Sequence, residues 1–157
     1  MTGIFYGSTT GNTESYAQTI AQALGTNDVF NVADATADSV LQYDLILLGS
    51  STWGDGDLQD DWYDFLEALK GLDLSGKKVA LFGTGDSGSY PDTFCGALAT
   101  IYDELQGTGA TFVGSFAPEG YDVTDSAINR DGNFIGLALD DNNSDNEARI
   151  ATWVQTL

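Results

Sequence analysis

The sequence predicts an α/β fold: a three-layer α/β/α sandwich around a five-stranded parallel sheet in the order 2-1-3-4-5, its fifth strand interrupted by an insertion. Two observations carry this. Short runs that are apolar on consecutive residues recur along the chain, which is how strands covered on both faces read. Helix-patterned segments fill the gaps between them, and such alternation calls for right-handed crossovers and therefore a parallel sheet. At 157 residues, one domain spanning 1–157 is expected, large enough to bury a core without covalent staples.

Ile4 to Tyr6 is the first strand. Val29 to Val32 is a weaker second, Leu45 to Gly49 a strong third and Val79 to Gly83 a strong fourth. Phe112 to Phe116 starts the fifth, and Phe134 to Leu139 resumes it. Between them, Glu14 to Leu24 carries Tyr16-Ala17, Ile20-Ala21 and Leu24 at helical spacing, closed by Gly25. A short helix near Asp38 to Gln42 bridges strands two and three. Asp60 to Lys70 carries Trp62, Phe65-Leu66 and Leu69, closed by Gly71. Phe94 to Leu105 is closed by Gly107, and Asp145 to Leu157 presents Ile150, Trp153 and Val154. Trp62 and Trp153 read as core residues on apolar helix faces. Cys95 reads as a small buried hydrophobe in a first helical turn. The stretch 117–133 is long for a connection inside a compact domain and reads as functional or as an insertion covering the sheet edge. Within it Arg130 suggests a local ion pair.

Charge narrows the function classes. Five Lys and Arg stand against 24 Asp and Glu, a net charge of -19, and there is no His. Such a surface repels nucleic acid and anionic membranes, suits basic protein partners and favours a monomer through self-repulsion. Solubility or a salty habitat is the alternative reading of the same charge. The single cysteine excludes an internal disulfide and cysteine-based zinc or iron–sulfur sites, and the missing histidine excludes a Ser-His-Asp triad. No signal segment and no membrane-spanning run is apparent, so a cytoplasmic location without membrane insertion is expected.

In the order 2-1-3-4-5, ligands bind beyond the C-terminal strand ends, where the order reverses between strands one and three. Three loops meet there, after Tyr6, after Ser50 and after Gly83. The first reads Gly7-Ser8-Thr9-Thr10-Gly11-Asn12-Thr13. A strand, a hydroxyl-rich turn and a helix N-terminus form a socket for phosphate, because helix-start N–H groups point outward and the dipole favours an anion. The turn has no Lys or Arg, so neutral donors must do the holding. That suits a small bound phosphate ester better than a metal-bound polyphosphate.

The second loop reads Ser51-Thr52-Trp53-Gly54-Asp55-Gly56-Asp57. Trp53, placed beyond the strand end, can stack on a planar ligand; a ring folded back on the core is the alternative. Gly54 and Gly56 leave a peptide free to flip. The third loop runs from Gly83-Thr84-Gly85-Asp86 to Tyr90-Pro91-Asp92. Tyr90 can oppose Trp53 across a flat ring system, or be a partly exposed surface residue; Asp86 can pair with a polar ring edge.

These three motifs, in this order, resemble the flavodoxin family, FMN-binding electron carriers. Ser8-Thr9-Thr10-Gly11-Asn12-Thr13 matches its phosphate loop. Thr52-Trp53-Gly54-Asp55-Gly56 matches the loop with the inner aromatic, and Thr84-Gly85-Asp86 through Tyr90 the loop with the outer tyrosine. The broken fifth strand, with Tyr121-Asp122-Val123-Thr124 in the insertion and Gly136-Leu137-Ala138-Leu139-Asp140 after it, resembles the long-chain branch, although the chain is short for that branch. Gly54-Asp55 also replaces bulkier pairs found in some members.

The resemblance implies tightly but non-covalently bound FMN. Ser8, Thr9, Thr10, Asn12 and Thr13 would grip its phosphate, Trp53 and Tyr90 would sandwich the ring, and Asp86 would meet the pyrimidine edge. The 54–55 peptide would turn its carbonyl toward flavin N5, and Asp140 would lie near the ribityl chain. Gly11, Ser51, Thr52, Asp55, Gly56, Thr84, Gly85 and Asp92 complete the expected cofactor-binding set; no catalytic residue and no metal is expected. The implied function is a low-potential one-electron carrier using the semiquinone/hydroquinone couple, not an enzyme. Its implied partners are basic redox proteins: a flavin-containing reductase or photosystem-type donor, and an acceptor enzyme. Asp55, Asp57, Asp60 and Asp61, with no base between Trp53 and Trp62, oppose an added electron and lower its potential.

Two other classes share features of this pattern. Quinone reductases use the same fold and phosphate loop, but the usual proton-donating His is missing here. Phospho-receiver domains need an acidic pair after strand one, an acceptor Asp after strand three and a Lys after strand five. Tyr6-Gly7-Ser8 and Ser50-Ser51 occupy the first two places, and no Lys follows residue 78.

Overall fold

Side chains alternate across a parallel sheet, and each of its two faces carries its own apolar cluster. The computed structural model describes residues 2–7, 12–53, 57–58, 61–85, 96–115, 129–130, 133–140, 146–155 and 157. Strands β1 (Thr2–Gly7), β2 (Val29–Asn31), β3 (Leu45–Trp53), β4 (Asp57–Leu58), β5 (Lys78–Gly85), β6 (Thr111–Val113), β7 (Asn129–Arg130), β8 (Asn133–Phe134) and β9 (Leu137–Asp140) alternate with helices α1 (Asn12–Leu24), α2 (Trp62–Lys70), α3 (Gly96–Glu104) and α4 (Asn146–Val154). The main sheet runs β2-β1-β3-β5-β6, with β9 also pairing parallel to β5. This is the expected 2-1-3-4-5 order.

Ile4, Leu47, Ala80, Phe82, Leu137 and Leu139 pack with Ala17 and Ile20 of α1 and Ile150 and Trp153 of α4. Their strand neighbours Phe5, Ile46, Leu48, Val79, Leu81 and Ala138 pack on the other face against Trp62, Phe65 and Leu69 of α2 and Leu98 and Ile101 of α3. The period-2 alternation of strands thus sorts consecutive apolar residues into two layers. Trp62 and Trp153 are both fully buried, as their helical spacing predicts.

The fifth strand is broken as expected, but the pieces differ. β6 pairs with the first half of β5 (Ala80↔Val113) and β9 with the second (Phe82↔Leu137 to Gly85↔Asp140). Resumption begins at Leu137, not Phe134, because Phe134 pairs antiparallel with Asn129 in the β7–β8 hairpin. At the break, the Trp153 indole N–H donates to the Gly114 carbonyl at 2.7 Å, satisfying a main-chain group where the chain leaves the sheet.

Helix ends follow their residues unevenly. After α1, Gly25 takes φ 74°; its N–H bonds the Gln22 carbonyl and that of Thr26 bonds the Ala21 carbonyl, a Schellman close. Gly71 instead keeps φ -85°, because the turn continues right-handed through Leu72 N–H to Leu69 O. After α3, the left-handed residue is Gly109 (φ 83°), not Gly107. There buried Leu105 and the Thr108 hydroxyl, which donates to the Leu105 carbonyl at 2.6 Å, extend the chain into a 3-10 turn. The bridge between strands two and three is also a 3-10 turn, Ala37–Gln42.

Candidate functional site

Three strands reach further toward the crevice than their apolar runs suggest. β1 extends to Gly7, β3 to Trp53 and β5 to Gly85. Ser51, Thr52 and Trp53 therefore belong to a strand, not a loop, and Trp53 is its last residue instead of lying beyond its end. The hydroxyl-rich tail Ser50-Ser51-Thr52 hides this continuation from an apolar-run reading. Pairing sustains it: Ser50 faces Gly7 and Gly83, and Ser51 faces Thr84. Beyond, Thr52↔Leu58 and Trp53↔Asp57 form an antiparallel hairpin with β4, leaving Gly54, Asp55 and Gly56 as the connection. Thr84 and Gly85 are likewise in β5.

The rows nearest the crevice are mostly small or polar. Gly7, Ser50 and Gly83 lie side by side, then Ser51, Thr84 and Leu139, then Gly85 and Asp140. Asp140 thus ends β9 beside Gly85 at the end of β5. A Cβ on Gly83 would sit 2.6 Å from the Ser50 carbonyl oxygen and 3.1 Å from Leu98, so glycine lets the strands and α3 close up beneath the crevice.

Buried polar side chains gather at the same place. Thr13 is 0% exposed, Ser50 0% and Thr84 1%. α1 starts at Asn12, two residues earlier than its apolar pattern suggests, so Thr13 lies in the first helical turn beside the main-chain N–H groups that remain available to an anion. Its Oγ1 stands 3.4 Å from Thr84 Oγ1, joining the first turn of α1 to β5 across 71 residues of chain. A helix N-terminus with a buried hydroxyl and no basic residue in the adjoining turn fits a phosphate monoester. Of the expected phosphate loop, Ser8, Thr9, Thr10 and Gly11 lie outside the described residues, as do Gly54, Asp55, Gly56, Asp86, Tyr90 and Asp92. So do Cys95 and the 121–124 segment.

Two supporting contacts escaped the sequence reading. The Trp62 indole N–H donates to the Gly49 carbonyl at 2.7 Å. Gly49 precedes the second loop and Trp62 follows it, so one bond ties both stems together. Apolar spacing marks Trp62 as core but cannot name its partner. The second is Tyr6, 6% exposed at the exit of β1. Burial, then the charge and hydrogen bond of Glu14, then the Asp34 charge, raise its pKa above the usual tyrosine value. This fixes the first turn of α1 to the strand that feeds it. A separate groove of about 660 Å³ runs between the 3-10 turn and α2, with Asp38, Asp61 and Asp64 on its lining and Val32, Ala37 and Phe65 among its apolar residues. None of its lining residues is in the expected cofactor set. Among the described residues, no cluster of three or more His, Cys, Asp or Glu could hold a metal ion. No helix of the described residues is long and apolar enough to cross a membrane.

The comparisons with known proteins agree with this topology. The family model for flavodoxin matches residues 4–153. A flavodoxin of Synechocystis sp. is 39% identical over 160 residues, covering 99% of this chain and 94% of its own. Flavodoxin 1 of Escherichia coli K12 is 41% identical over 162 residues, covering 100% of this chain and 92% of its own. Among solved structures, a Fusobacterium nucleatum flavodoxin variant bound to flavin mononucleotide superimposes with a TM-score of 0.92 at 31% identity, over 99% of this chain and 93% of that one. The family match spans residues 4–153 of the chain, and the relatives cover 99–100% of it: the chain belongs to the flavodoxin family.

Proposed function

We propose that this chain is a low-potential one-electron carrier working through tightly but non-covalently bound FMN. The observation that carries the reading is the crevice at the reversal of strand order. There a buried hydroxyl in the first turn of α1, the β3–β4 hairpin and the end of β5 converge. Family membership supports the cofactor, and a similar solved flavodoxin is bound to flavin mononucleotide.

FMN would supply the one-electron chemistry; the protein binds, orients and tunes it. In this reading Ser8, Thr9, Thr10, Asn12 and Thr13 hold the phosphate with neutral donors, and Gly11 gives the turn its freedom. Trp53 and Tyr90 flank the ring, Asp86 meets its pyrimidine edge, and the Gly54–Asp55 peptide offers a carbonyl at N5. Ser51, Thr52, Gly56, Gly85, Asp92 and Asp140 frame the remainder, and Thr84 lies behind Thr13. Asp55, Asp57, Asp60 and Asp61 oppose negative charge on the ring. At an effective dielectric of about 20, unit charges 4 Å apart repel by roughly 4 kcal/mol, and by less with distance and salt.

The charge of -19 and the acid-lined groove beside α2 favour basic redox proteins as partners: a flavin-containing reductase or photosystem-type donor on one side, an acceptor enzyme on the other. A single-domain monomer in the cytoplasm completes the reading.

The test is flavin titration of the flavin-free protein, followed by quenching of flavin fluorescence. The wild type should bind FMN more tightly than riboflavin, and Thr13→Val should weaken FMN selectively. A colourless protein that quenches neither flavin rejects the carrier reading. Equal losses for both flavins in Thr13→Val reject the assigned phosphate loop.

A further inference from the structure

We propose that the Thr84 hydroxyl is a positioning group for phosphate binding, acting through Thr13 and not by touching the cofactor. The inference rests on the FMN reading and narrows it, because Thr84 was expected among the direct cofactor ligands.

Thr84 sits inside β5, paired on one side to Ser51 of β3 and on the other to Leu139 of β9. Its side chain is 1% exposed and lies 3.4 Å, oxygen to oxygen, from the hydroxyl of Thr13, itself 0% exposed. The residue is closed beneath the first turn of α1, a poor position from which to reach a ligand and a good one from which to support Thr13.

Proton counting sets the direction. Each hydroxyl carries one proton and two acceptor lone pairs. When Thr13 donates its proton to an anion at the helix start, its oxygen can only accept, and Thr84 stands within reach to donate. The protons then run one way, from Thr84 to Thr13 and from Thr13 to the phosphate. Hydroxyls aligned in series polarise one another, and the effect grows where water is excluded. At 3.4 Å the pair is longer than an ordinary O–H···O bond of about 2.5–3.0 Å, so it adds little to the flavin-free fold. Its contribution appears when an anion orders the protons. The two hydroxyls also join the turn that holds phosphate to the strand that leads into the ring-binding loop.

The experiment measures FMN and riboflavin affinities of wild type, Thr84→Val, Thr84→Ser, Thr13→Val and the double variant, with the unfolding midpoint of each flavin-free protein. Valine keeps the shape and removes the hydroxyl; serine keeps the hydroxyl. Thr84→Val should weaken FMN roughly threefold to tenfold, the scale of one net hydrogen bond, and leave riboflavin within about twofold. Thr84→Ser should recover most of the FMN loss. Thr84→Val should add nothing in the Thr13→Val background, since the relay is already cut. Equal losses for the two flavins, additive losses in the double variant, or undiminished FMN binding in Thr84→Val each overturn the proposal. If the wild type itself fails to prefer FMN over riboflavin, the phosphate-loop assignment falls and takes this inference with it. A wild-type preference left undiminished by Thr84→Val sinks the role of Thr84 alone.

Discussion

Replacing Trp62 by phenylalanine tests whether the second loop is held from its stems. The indole N–H of Trp62 reaches the Gly49 carbonyl at 2.7 Å, and the ring is 0% exposed, packed edge-on against Phe65 with centroids 5.3 Å apart. Phenylalanine keeps an aromatic ring but removes the donor. Weakening the solvation of a buried carbonyl costs about 1–3 kcal/mol. The smaller ring forfeits apolar contact equivalent to about two methylenes, roughly 1.6 kcal/mol. The sum is about 2.5–4.5 kcal/mol, which at this chain length lowers the melting midpoint by about 5–18 °C. Thermal unfolding of the flavin-free protein, followed by circular dichroism, measures it. The same loosening should reach the Trp53–Asp57 hairpin, so FMN and riboflavin should weaken together, in contrast to the phosphate-selective loss expected at Thr13. A shift under about 2 °C, or a loss confined to FMN, would refute the anchoring argument.

Three further outcomes are expected. Trp153→Phe should cost a similar sum of about 2.5–4.5 kcal/mol, with about the same thermal shift, because it also strips a donor from a glycine carbonyl. It should leave the ratio of FMN to riboflavin affinity unchanged, since its partner Gly114 lies at the break in the fifth strand. The proton on Tyr6 is held more tightly in the fold than in the unfolded chain, through burial, Glu14 and Asp34, and burial and Asp28 do the same at Tyr43. A raised folded pKa contributes stability that is present below about pH 10 and lost as pH rises through the higher folded value; Tyr6→Phe should therefore move alkaline unfolding to higher pH, read by tyrosinate absorbance and circular dichroism, and an unchanged midpoint rejects this. Finally, with a charge of -19, raising NaCl from about 0.01 to 0.5 M shortens the screening length from about 30 Å to under 10 Å and should raise the melting midpoint; a flat or falling curve shows that self-repulsion does not limit the fold.

Strand order and layering were legible because burial on both faces leaves a plain mark. Leu45-Ile46-Leu47-Leu48 and Val79-Ala80-Leu81-Phe82 are apolar on every residue, and the sheet sends alternate side chains to opposite clusters. The ends were less legible, for a physical reason. Toward the crevice the strands trade apolar residues for Ser50, Ser51, Thr52 and Thr84, held in the sheet by main-chain pairing instead of hydrophobicity. Composition alone therefore shortened β3 and β5. Glycine misled in a related way. Gly25, Gly71 and Gly107 all follow helical patterns, yet only Gly25 adopts the left-handed turn. What decides is whether the next residues must turn away or, like Leu72 and Thr108, stay packed against the core.

The same contrast explains how so acidic a chain can hold a phosphate ester. The negative charge gives the molecule its field, whereas Gly7, Thr13, Ser50, Gly83 and Thr84 at the crevice carry no formal charge, and Asp140 ends β9 beside them. Neutral donors can be buried once each is hydrogen-bonded, at little cost. A buried lysine would need its own compensating partner and would draw the ring's electron affinity upward by Coulomb attraction. Gripping the anion with α1 and its hydroxyls leaves the surrounding carboxylates free to disfavour added charge on the ring. In the proposed carrier, tight phosphate binding and low potential would be compatible because dipoles supply the first and carboxylates the second. A Thr13→Val variant should then lose FMN affinity without losing the salt dependence of electron transfer to a basic partner, and a joint loss of both would show that the two are not separable.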